Sequence, residues 1–90
     1  MEEESFDIVE LENGAIKVLH VIYEVEAMGG NDIETFYSFD VKNSSKLKEC
    51  LLRKKNQNLQ KAFQAAFEDV SDFISFCDKN KLKYSVSKRY

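Results

Sequence analysis

Phe6-Asp7-Ile8-Val9-Glu10-Leu11-Glu12-Asn13-Gly14-Ala15-Ile16-Lys17-Val18-Leu19-His20-Val21 decides the fold, because Asn-Gly between two apolar runs is a strong short-range hairpin signal. A two-residue type I′ loop at Asn13-Gly14 is the expected connection. It would set Glu10 opposite Lys17, Ile8 opposite Leu19, Asp7 opposite His20 and Phe6 opposite Val21. A second hairpin is expected at Met28-Gly29-Gly30-Asn31-Asp32, leading into a third strand from Ile33 to Val41.

Side-chain parity sets the length of that second loop. Leu19, Val21, Tyr23 and Val25 share one face of the second strand, and Ile33, Thr35, Tyr37, Phe39 and Val41 share one face of the third. Both sets are odd-numbered, so a loop of three residues (Gly29-Gly30-Asn31) or five brings them to one core face. Tyr23 would then oppose Tyr37, Val21 would oppose Phe39 and Leu19 would oppose Val41. The opposite face would gather Asp7, His20, Ile22, Glu24, Glu26, Glu34, Phe36, Ser38 and Asp40, with Val9, Leu11, Ile16 and Val18 near the first turn. Glu26 would oppose Glu34, a like-charge pair that a purely structural face tends to avoid.

From Lys42 onward the apolar period becomes helical. Asn43-Ser44-Ser45 offers N-cap side chains before Leu47, Cys50 and Leu51. The stripe lapses over Arg53-Lys54-Lys55-Asn56-Gln57-Asn58 and resumes from Leu59 to Cys77, with Phe63, Phe67, Val70 and Ile74 expected to face the sheet. Two helices with a break near Lys55 to Asn58 follow from this. Asn80 is the expected left-handed stop, and Leu82-Lys83-Tyr84-Ser85-Val86-Ser87 alternates as a last strand at a sheet edge. The fold class is therefore α+β, in the order β-β-β-α-α-β. An antiparallel three-stranded meander, with a short C-terminal fourth strand, is packed on one face by two helices.

Ninety residues with 43% hydrophobic content and no proline suit one small domain with its own core. No apolar run is long enough to span a bilayer, and the acidic Met1-Glu2-Glu3-Glu4 start does not resemble a secretory leader, so a cytoplasmic protein is expected. Cys50 and Cys77 sit on apolar helical stripes, where a free thiol is usually a small buried hydrophobe. No phosphate loop or metal-ligand spacing is present, and neither cofactor nor metal is expected. His20 is the sole histidine, flanked by carboxylates in the expected register, with no nucleophile beside it.

The charge is unevenly distributed. Residues 1 to 40 hold eleven acids against Lys17 alone, while residues 41 to 90 hold twelve bases against five acids. A sheet face left bare by one layer of helices, carrying carboxylates around Ile22 and Phe36, would suit a basic surface or cleft on another protein. That points to a non-catalytic inhibitor whose partner-binding residues are Asp7, His20, Ile22, Glu24, Glu26, Glu34, Phe36 and Asp40. An anti-CRISPR-type nuclease blocker that mimics nucleic acid and a toxin-neutralising immunity protein are classes of this kind. The alternative is a small nucleic-acid-binding regulator using Lys46, Lys48, Arg53, Lys54, Lys55 and Lys61, with Lys88-Arg89-Tyr90. A chain with oppositely charged halves is also compatible with homo-oligomers.

Overall fold

The computed structural model describes residues 3–25, 29, 31–52 and 58–89, without the side chains of Glu24, Val25 and Asn31. Four antiparallel strands form one sheet in the order β1-β2-β3-β4: β1 Glu3–Glu10, β2 Ile16–Val25, β3 Asn31–Ser38 and β4 Ser85–Arg89. Between β3 and β4 the described residues form three helices, α1 Val41–Leu51, α2 Leu59–Ala66 and α3 Val70–Lys79. The α+β class and the edge position of the last strand match the reading of the sequence. One helix more is present than expected.

The first loop has three residues, not two. The Leu11 amide donates to the Ala15 carbonyl at 2.8 Å, and the Gly14 amide donates to the Leu11 carbonyl at 2.9 Å, leaving Glu12, Asn13 and Gly14 in the turn. Gly14 takes φ +90° while Asn13 does not go positive, so this is a three-residue turn closed by a left-handed glycine. The Asn13 side-chain oxygen accepts from the Ala15 amide at 3.0 Å and tightens it. One extra loop residue shifts the whole register: Ile8 opposes Val18, Phe6 opposes His20 and Asp7 opposes Leu19.

The second hairpin shifts in the same sense. Val18 opposes Tyr37, His20 opposes Thr35 and Ile22 opposes Ile33, while beyond an irregularity between Ile22 and Val25 the pairing becomes Val25 with Asn31. Val25 and Asn31 are both odd-numbered, as the parity reading required. The irregularity then exchanges the faces of β2 for the rest of the hairpin. The third strand also stops at Ser38, three residues short of its expected end. Asp40 caps α1 instead, and the expected pairing of Leu19 with Val41 does not form.

The core lies on the helix side of the sheet. Ile8, Ile16, Val18 and Tyr37 contribute from the strands, joined by Phe39 from the β3–α1 connection, Leu47, Phe63, Phe73 and Cys77 from the helices, and Phe67 from the α2–α3 connection. Phe73, fully buried, lies within 6 Å, centroid to centroid, of Phe6, Tyr37, Phe39, Phe63 and Phe67. Such edge-to-face groupings add about 0.5–1.5 kcal/mol per pair beyond area burial. Val70 and Ile74 pack against this cluster from its margin.

Asn43 and Ser44, expected at the helix start, lie inside α1 and are buried. They are cross-links. The Ser44 hydroxyl accepts from the Ile16 amide at 2.8 Å and donates to the Phe39 carbonyl, and the Asn43 oxygen accepts from the Lys83 amide at 3.1 Å. Where one helix was expected after Asn58, the chain breaks at Phe67, whose extended backbone ends α2, and Asp69 starts α3 by accepting from the Asp72 amide. The left-handed residue after α3 is Lys81, with φ +55°, rather than Asn80. Lys81 donates to the Asp78 carbonyl and Leu82 to the Cys77 carbonyl, the paired bonds of a Schellman stop, with Leu82 and Cys77 both buried.

Candidate functional site: the open sheet face

Because the helices cover one face, the residues that alternate with the core form the other. On β1 these are Glu3, Ser5, Asp7 and Val9; on β2, Tyr23, Val21, Leu19 and Lys17; on β3, Glu34, Phe36 and Ser38; on β4, Arg89, Ser87 and Ser85. The register aligns them in rows. Ser5, Val21, Glu34 and Arg89 form one, Asp7, Leu19, Phe36 and Ser87 the next, and Val9, Lys17, Ser38 and Ser85 the third.

The face has an apolar centre between unlike edges. Leu19 and Phe36 are half-buried, and Tyr23 and Val9 are 38% and 49% exposed, whereas Val21 is buried without belonging to the helix-side core. The Tyr23 hydroxyl lies 3.1 Å from the Ser5 hydroxyl, holding the ring toward β1. The β1 edge is acidic through Glu3 and Asp7, while the β4 edge carries Ser85, Ser87 and Arg89. Near β4, Lys17, Phe36, Ser38, Ser87, Lys88 and Arg89 line a hollow of about 440 Å³.

The outer margin of β1 is tied down by α2. The Gln64 side-chain amide donates to the Phe6 carbonyl at 2.8 Å and to the Asp7 carboxylate at 3.3 Å. Behind this margin a notch of about 240 Å³ is rimmed by Glu4, Glu68 and Asp69. Carboxylates therefore stand on both sides of β1.

The structure divides the expected partner-binding set. Asp7, Glu34 and Phe36 lie on the open face as anticipated. His20 and Ile22 do not, because β2 presents its even-numbered residues to the helices. His20 is mostly buried on the helix side, edge-on to Phe6 at 6.1 Å between ring centroids, with Nε2 3.8 Å from a Glu4 carboxylate oxygen. Ile16 and Val18, expected near the acidic face, are fully buried core residues.

Asp40 belongs to α1. The Asn43 backbone amide, and then the Asn43 side chain, donate to its carboxylate and hold its pKa below the ordinary 3.8. Glu26 and the side chain of Glu24 fall outside the described residues, as do Arg53, Lys54 and Lys55 of the basic set. Lys46 and Lys61 are exposed on α1 and α2, and the Lys48 ammonium is occupied 3.0 Å from Glu10, bridging α1 to β1.

Glu3, Ser5, Lys17, Leu19, Val21, Tyr23 and, on β4, Ser85, Ser87 and Arg89 complete the face and were not anticipated there. The three apolar ones were assigned to the core, and β2 offers no contrast between its faces to correct that. Among the described residues no group of three or more His, Cys, Asp or Glu is arranged to hold a metal ion, and no helix is long and apolar enough to cross a membrane. No protein-family model, curated protein or solved structure matches the chain.

Proposed function

We propose that this protein is a non-catalytic docking protein that binds a basic surface of another protein through its open sheet face, in the manner of a nuclease blocker or an immunity protein. The observation that carries this reading is the helix-free face itself. Leu19, Tyr23 and Phe36 form its apolar centre beside the Glu3 and Asp7 edge, with Glu34 on the adjoining strand. Apolar and aromatic side chains at the centre supply most of the energy of such contacts, and the surrounding carboxylates steer approach and set specificity. Glu4, Glu68 and Asp69 extend the negative field around β1.

The test is capture of a partner by tagged protein, followed by binding kinetics with purified components. Phe36→Ala should raise the dissociation rate about tenfold or more, whereas Glu3→Lys with Asp7→Lys should chiefly slow association and flatten its salt dependence. Glu49→Lys, on an exposed position of α1, is the control. If folded Phe36→Ala and Glu3→Lys/Asp7→Lys proteins bind the partner as the wild type does, the open face is not the docking surface. Salt-dependent binding of a generic nucleic-acid duplex, without a protein partner, would favour the basic regulator instead.

A further inference from the structure

The docking reading above requires a partner whose surface is apolar at its centre and basic at one edge. The β4 side of the same face has that character. We infer that the open face pairs with a second copy of itself, and that a target must displace this self-pairing.

The geometry follows from the strand order. A two-fold axis lying between the two facing sheets, along the strands and level with the gap between β2 and β3, sets β1 of one copy over β4 of the other and β2 over β3. Because the rows stay level under this operation, Leu19 meets Phe36 of the second copy. Arg89 is level with Ser5, so it enters between Glu3 and Asp7 of the other chain. Among the described residues, neither Arg89 nor Lys17 has an ion-pair partner within its own chain. The hollow over Phe36 and Ser87 lies opposite Leu19 and Asp7 of the second copy, giving shape as well as charge correspondence.

Area decides the strength. Four strands about 4.8 Å apart and about eight residues long give a footprint of roughly 450 Å² per copy, below the about 600 Å² per partner at which stable specific interfaces begin. The pairing is therefore weak and concentration-dependent, suited to being displaced.

Sedimentation equilibrium of the purified chain, from micromolar to millimolar concentration and at two salt concentrations, should show a reversible dimer of the 10.5 kDa chain that loosens as salt rises. Glu3→Lys with Asp7→Lys, and separately Arg89→Glu, should each weaken self-association about tenfold or more by opposing like charges. An equimolar mixture of the two folded variants should restore it, since both contacts of the mixed dimer then join opposite charges. Leu19→Ser should give a folded monomer. A wild type that stays monomeric at millimolar concentration, or variants whose mixture stays monomeric, overturns the inference. These readouts need no target, so a monomeric wild type that still loses its target on Phe36→Ala rejects self-pairing and leaves the docking reading standing.

Discussion

Ser44 is a small polar residue in a fully buried position, and its hydroxyl holds two elements together. It satisfies the amide of Ile16, the first residue of β2, and reaches the carbonyl of Phe39 just before α1. Ser44→Ala would leave the Ile16 amide buried without a partner, and a lost bond of this kind costs about 1–3 kcal/mol. Urea unfolding should show the midpoint falling with the slope unchanged. A midpoint within error of the wild type would mean that the Ile16 amide finds another acceptor. Nothing in the spacing of Asn43-Ser44-Ser45 distinguishes a residue that begins a helix from one that pins the helix to a strand, since both uses favour short polar side chains.

At the scale of elements, the four strands and the first helix were legible, while the break at Phe67 that splits the second helix and the hairpin registers were not. Asn-Gly serves equally as a two-residue turn or as the end of a three-residue turn with Gly left-handed, and only the second occurs at Gly14. β2 could not arbitrate, because Ile16, Val18 and Ile22 on one face are as apolar as Leu19, Val21 and Tyr23 on the other.

Only the first loop was misjudged; the second kept the expected odd parity, and the irregularity between Ile22 and Val25 supplied the compensating shift across β2. Ile8 on β1 and Tyr37 on β3 therefore face the core as expected, and Asp7, Glu34 and Phe36 face outward as expected. His20 and Ile22, which belong to the inverted strand, moved to the helix side. Gly14 sets the first of these registers. A Cβ there would meet nothing within 4 Å, so the cost of Gly14→Ala comes from the backbone, about 1 kcal/mol for an L-residue held at positive φ. Thermal unfolding should register it as a fall of several degrees. An unchanged midpoint would argue that the turn is not held left-handed in solution.

For the molecule as a whole, alkali should be a distinct stress on the fold. Burial, with Asp78 nearby adding to it, pushes the Cys77 thiol from 9.0 up to about 12. Burial likewise raises the Tyr37 and Tyr84 phenols above their ordinary 10.0. All three groups titrate later in the folded chain than in the unfolded one, so the unfolded chain binds fewer protons once pH passes 9. The stability they confer is complete below that point and is lost as pH rises toward 12. Stability measured by urea should therefore fall steadily above pH 9, and Cys77→Ala, less stable at neutrality, should show a shallower alkaline decline. Parallel declines would exclude the thiol as a source.

β4 differs from the other strands in how it is held. All five of its residues are exposed, among the described residues it pairs with β3 alone, and it supplies nothing to the buried cluster. A strand held by so little can fray while the rest of the sheet stays closed. Arg89 and Ser87 then leave the face together, so the lifetime of the β3–β4 pairing sets an upper limit on how long any contact through that edge persists.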